Sequence, residues 1–142
     1  MSENRMPEID PTSLAPAKGG IVVYMQLRDA AAASAFYQRA FGAEEKTRLL
    51  HPDGQRLIHC HLWLNEGSIM INDPFPEQGM PLEPPAAFTL TLMVDDIDSW
   101  FTRAAGAGCE VTTPVAKMFW GARYGELKDP FGVRWAMNEE PK

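Results

Sequence analysis

In the run LIHCHLWL, residues 57–64, His59 and His61 lie two apart. On an extended strand such a pair shares one face, and imidazoles so placed can begin a metal site or move protons near neutral pH. A third ligand at a predictable spacing is missing. Two pocket-wall imidazoles therefore outweigh a metal pair, and acid or base work is the chemistry that His59 and His61, the catalytic candidates, would otherwise do. A second concentration of chemistry is MFWGARYG, residues 118–125, which sets Met118, Phe119, Trp120, Arg123 and Tyr124 on a connection, where function usually gathers. An indole can stack on a flat ligand and a guanidinium can grip a carboxylate or phosphoryl group bidentately. Packing for Trp120 and a local acid partner for Arg123 weigh equally.

Other groups read as structural. Asp95, Asp96 and Asp98 precede a helical pattern, where capping and the helix dipole favour carboxylates, and DPFG (129–132) is a turn before a strand. Cys60 and Cys109 form no CxxC or CxxH, so neither a disulfide framework nor a zinc knuckle is indicated. G-x-S-x-G, P-loop and GxGxxG patterns are absent, which removes the ordinary hydrolase elbow and the nucleotide sites. A net charge of -6 gives no footprint for nucleic acid. No run is long enough to cross a bilayer and the N-terminus has no signal-peptide pattern, so the expectation is a cytoplasmic protein without a membrane or nucleic-acid partner.

The 142 residues suit one globular domain. Residues 1–20 mix Pro, Gly and charge without periodicity and are expected to form a flexible arm outside the fold. IVVYMQL (21–27) is a buried-strand pattern. Asp29 then caps a helix, AAAASAFYQRAF, that ends at Gly42, and EEKTRLL, LIHCHLWL and SIMIND supply three antiparallel strands. After a Pro-rich linker at 74–85 the order begins again. FTLTLMVDD answers IVVYMQLRD, Asp96 answers Asp29, Trp100-Phe101 answers Phe36-Tyr37 and Gly106 answers Gly42, followed by EVTTP (110–114), RYGELKDP and VRWAMN. The expected architecture is α+β: two βαβββ modules, 21–73 and 86–138, forming a cupped mixed sheet with helices on its outer face and a short tail at 139–142.

Strand alternation then sorts the side chains. Val23, Met25 and Leu27 go to the helix, leaving Val22, Tyr24 and Gln26 on the open side. Leu90, Leu92 and Val94 go to the second helix, leaving Thr89, Thr91 and Met93. By the same parity His59, His61 and Trp63 oppose Cys60, Leu62 and Leu64. Met70 and Asn72 oppose Ile69 and Ile71, and Arg134, Ala136 and Asn138 oppose Val133, Trp135 and Met137. The strands thus nominate Tyr24, Gln26, Trp63, Asn72, Thr89, Thr91 and Arg134 as ligand-binding residues, and the connection nominates Met118, Trp120 and Arg123.

RDAAAASAFYQRAFGAEE (28–45), VDDIDSWFTRAAGAG (94–108) and FWGARYGELKDPFGVRW (119–135) resemble the vicinal oxygen chelate, or glyoxalase/bleomycin-resistance/dioxygenase, superfamily and within it the PhnB-like branch. The resemblance spans roughly Ile21 to Asn138. It implies paired modules cupped around a ligand, often as a homodimer, and in metal-dependent members a His or Glu on the first and last strand of each module. Carried over, those positions are Val22, Met70, Thr89 and Ala136. None is a credible donor to a divalent ion, so no cofactor is expected and a divalent metal is disfavoured. The reading is a metal-independent protein that binds a small organic ligand. The alternatives are a divergent lyase, isomerase or dioxygenase working through His59 and His61, and an interaction module with a filled cup.

Overall fold

The computed structural model describes residues 14–142. Along the chain lie β1 (Val23–Gln26), α1 (Ala30–Phe41), β2 (Glu44–Leu50), β3 (Leu57–Leu64) and β4 (Gly67–Asn72), then β5 (Leu90–Met93), α2 (Ile97–Ala107), β6 (Glu110–Lys117), β7 (Arg123–Lys128) and β8 (Arg134–Glu139). The α+β class and the repeated βαβββ order are as expected. The strands form two mixed four-stranded sheets, ordered β1-β4-β3-β2 and β5-β8-β7-β6. The described residues divide into two compact units, residues 14–38 with 42–83 and residues 39–41 with 84–142.

Each module closes in the same way. The last strand returns parallel to the first, with Tyr24 opposite Met70 in one and Thr91 opposite Ala136 in the other. A carboxylate at the end of that strand then accepts the first helical N–H: Asp73 Oδ1 from Ala30 at 2.9 Å, Glu139 Oε1 from Ile97 at 3.0 Å. These amides have no partner within their helix, and a negative charge suits the N-terminal end of the dipole. Asp29 and Asp96 cap the same helices, accepting from Ala32 N and Ser99 N. Asp73 also accepts from Leu57 N at 2.6 Å, so one buried side chain ties β4 to both α1 and β3.

Asp129 has the structural role its turn suggested. Its oxygens accept from the Phe131 and Val133 amides and from the Trp135 indole, at 2.8, 3.0 and 2.9 Å, which locks the turn to the core of β8.

Two boundaries differ from the sequence reading. α2 runs through Gly106 and stops at Gly108, which takes φ +129, a conformation costly for other residues. β6 continues past Pro114 to Lys117, because it is an edge strand with irregular pairing and can spare the missing N–H. In the linker, a 3-10 turn at Pro76–Gln78 is held by Arg56, whose guanidinium reaches Glu77 at 3.0 and 2.6 Å and lies 4.4 Å from the Phe75 ring centroid.

Asp73→Ala strips two buried amides of their acceptor and is expected to destabilise the protein by about 3 kcal/mol, measured by urea unfolding. Gly125→Ala places a Cβ 2.7 Å from the Phe101 ring, on the helix side of β7, and is expected to cost about 2 kcal/mol in the same assay.

Candidate functional site

Lateral pairing sets the open face of the first sheet. Tyr24, Met70, His61 and Thr47 form one row across the four strands; Gln26 and Asn72 stand in the next, and Trp63 pairs with Ser68. The opposite parity is buried, with Met25, Leu27, Cys60, Leu62 and Ile71 at 5% exposure or less. On that side Glu45 Oε1 accepts from Ser34 of α1 at 2.7 Å and is paired with Arg48, while burial pushes the Cys60 thiol up to about 12 and keeps it unreactive.

Residues 14–20, expected outside the fold, lie instead against this open face; residues 1–13 of the expected arm fall outside the described residues. The Lys18 amide donates to Ser68 Oγ at 2.7 Å, the Ala15 amide to Thr47 Oγ1 at 3.3 Å, and the Trp63 indole to the Pro16 carbonyl at 2.9 Å. The ammonium groups of Lys18 and Lys46 stand 4.1 and 4.3 Å from the centre of the Trp63 ring. Trp63, nominated for ligand contact, is thus engaged by the chain itself.

His61 is sealed in the same contact at 1% exposure. Ser68 Oγ, which accepts from the Lys18 amide, also lies 2.8 Å from His61 Nε2, so the hydroxyl bridges the covering segment and the imidazole. Burial holds the His61 pKa below the ordinary histidine value, against a hydrogen bond to the Ala15 backbone that favours the charged form.

His59 has a different partner. Its Nδ1 lies 2.8 Å from the Tyr24 hydroxyl, and burial, then the nearby His61, lower its pKa. The two histidines share a face but converge on nothing. Among the described residues no three His, Cys, Asp or Glu side chains come together in a way that could hold a metal ion. The positions implied by the resemblance do not fit a divalent cation either, because Val22, Met70, Thr89 and Ala136 offer at most a thioether and a hydroxyl. Beside His59, Asn72 Oδ1 is buried with no hydrogen-bond partner among the described residues, an acceptor available to a donor group.

On the second sheet the corresponding row is Thr91, Ala136, Glu126 and Thr113, and Met93, Asn138 and Tyr124 follow in the next. Arg123 is absent from it. It belongs to β7 rather than to a loop, its parity is that of Gly125 and Leu127, and its guanidinium is bidentate to Asp98 of α2 at 2.7 and 3.0 Å. The local acid partner is the arrangement found, and Arg123 is not available to grip an anion.

The same parity sets Tyr124, already named on the connection, beside Glu126, which the sequence reading did not nominate. Tyr124 donates to Glu126 Oε2 at 2.8 Å and Thr113 to Oε1 at 2.7 Å. These bonds, Thr113 first, hold the Glu126 carboxyl below its ordinary pKa, while burial and then that carboxylate push the Tyr124 phenol up to about 12. Extending strand alternation to RYGELK would have found Glu126. Trp120 is half exposed, with its indole N–H 3.4 Å from Asn138 Oδ1 and its ring packed in a T with that of Tyr124 at 5.5 Å. Met118 forms the turn beneath it through backbone bonds with Ala122 and Gly121. Thr89 precedes β5, and Thr91 and Arg134 are exposed.

This fold, with its repeated sheets and open polar faces, has known relatives. The chain belongs to the Glyoxalase/Bleomycin resistance protein/Dioxygenase superfamily, which it matches over residues 21–137. It is 38% identical to Rv0887c of Mycobacterium tuberculosis over 122 residues, 82% of this chain and 71% of that one. Among solved structures it is similar to PA1353 of Pseudomonas aeruginosa, with a TM-score of 0.72 and 26% identity over 86% of this chain and 98% of the other. A PhnB protein of Bacillus cereus shares the fold at a TM-score of 0.67 and 21% identity, covering 85% and 99%.

Because the folded state resists protonating His61, stability is full above the ordinary histidine pKa and falls as pH drops through it toward the lowered folded value. His61→Gln removes that dependence. The wild type is expected to lose more of its urea midpoint than the variant between about pH 7.5 and about pH 5; equal losses would refute a proton-sensitive His61.

Proposed function

We propose that the protein is a metal-independent small-molecule binder that sequesters or carries an organic ligand on its open sheet faces. What carries this reading is the donor set: at the positions that the superfamily resemblance assigns to metal ligands the chain has Val22, Met70, Thr89 and Ala136, which offer at most a thioether and a hydroxyl. The side chains Tyr24, Thr91, Glu126 and Trp120, with the buried acceptor of Asn72, supply aromatic surface and hydrogen-bonding groups suited to orienting an organic molecule. Homodimerisation and a cytoplasmic location belong to the same proposal; sedimentation analysis tests the first and fractionation of the producing cells the second.

Elemental analysis of protein purified without chelators is expected to find substoichiometric metal. A thermal-shift screen of aromatic, carboxylate, phosphonate and amine compounds is expected to return at least one class that raises the unfolding midpoint, since a ligand of the native state alone stabilises it. Stoichiometric metal lost together with a catalytic activity would overturn the reading, and a screen with no stabilising compound would favour an interaction module.

One observation favours a second reading, an enzyme of proton transfer. Tyr24 and His59 are hydrogen-bonded on the part of the first sheet that residues 14–20 leave uncovered, and such a pair can exchange a proton with a bound substrate. Under that reading His59→Ala abolishes turnover.

A further inference from the structure

We propose that the open face of the second sheet takes an organic cation, an ammonium on a small apolar body, with Glu126 as its counter-charge and Trp120 and Tyr124 as its aromatic wall. The inference deepens the ligand-binding reading above and rests on it.

Glu126 is aimed but not neutralised. Its two oxygens accept from the Thr113 and Tyr124 hydroxyls, which fix the carboxylate without cancelling its charge. Among the described residues no Lys, Arg or His lies within ion-pair distance of it. Arg134, which acts on it at longer range, is itself exposed and pairs across the sheet with Lys128, two positions further along β7. A carboxylate kept ionised by neutral donors on a partly buried face is arranged for a positive group that arrives from outside.

The aromatic groups stand on the same side. Tyr124 shares the face of Glu126, two residues before it on β7. Trp120 and Tyr124 pack in a T with planes at 74°, and Phe119 and Trp120 do so at 89°. A T-shaped contact covers only one ring face of each pair, and Trp120 is half exposed; ring faces attract cations, indole most strongly.

The competing ligand classes fare worse here. An anion meets Glu126 and finds Arg123 turned to the helix side and occupied by Asp98, while Arg134 and Lys128 stand on the far side of Glu126 from Tyr124. A neutral apolar group would strip water from Glu126 without replacing its hydration.

The experiment titrates the full-length protein with choline and with its uncharged carbon isostere, in which a tert-butyl group replaces the trimethylammonium, following the Trp120 indole N–H resonance. Choline is expected to bind about tenfold or more tightly than the isostere. Glu126→Gln, which removes the charge and keeps one acceptor oxygen while the hydroxyl facing the amide nitrogen turns to accept, is expected to lower choline affinity about tenfold and leave the isostere unchanged. Trp120→Ala, at a half-exposed site with little packing to lose, provides a second variant and is expected to weaken choline. Equal affinity for the two compounds, or choline affinity unchanged in Glu126→Gln, overturns the cation inference while leaving a small-molecule binder in place. Failure of choline to bind overturns the inference as well, and the ligand screen then decides the broader reading separately.

Discussion

In both modules the last strand comes back beside the first and hands a carboxylate to the helix, Asp73 to Ala30 and Glu139 to Ile97. The rest of the structure follows from that closure. It fixes the register of the parallel pair, the register fixes which residues share a row, and the antiparallel strands carry the row outward. Side chains alternate with a period of two, so a slip of one residue would turn Met70 and Ala136 inward and bring Ile71 and Met137 out. The clasp uses amides that a helix leaves unpaired, which makes closure and capping one event.

Within that shared frame the two modules have parted chemically. The row through Met70 places His61 one strand further in, and the row through Ala136 places Glu126 at the same point. His61 is neutral, buried and bonded to Ser68 beneath residues 14–20, whereas Glu126 is ionised and faces outward with hydroxyl partners. Packing against the helix has held the repeat recognisable, since Leu27 and Val94 or Met25 and Leu92 must still meet a helix. Nothing in that packing restrains the residues between them.

That division explains what could be read from the chain. The strands, both helices and the repeat were legible because burial writes a periodic signal, as in LIHCHLWL and IVVYMQL. Caps at Asp29 and Asp96 were legible because a helix start demands a side-chain acceptor. The covering segment was not, because its contacts run from backbone amides and a carbonyl to Thr47, Ser68 and Trp63 and require no pattern in residues 14–20. Arg123 reads both as the head of the strand RYGELKDP and as part of the connection MFWGARYG, and only the second reading nominates it; as the first residue of β7 it turns to α2. Glu126 went unnominated because strand alternation was not carried into that segment.

The covering segment also bears on where this protein should be considered to start. The span shared with the superfamily opens at residue 21, just past the residues that hydrogen-bond to Ser68, Thr47 and Trp63. A chain trimmed to that span would keep every strand and helix, yet it would present a wet indole and an uncapped Ser68–His61 pair. What such a domain bound on its first sheet would describe a surface that the longer chain covers.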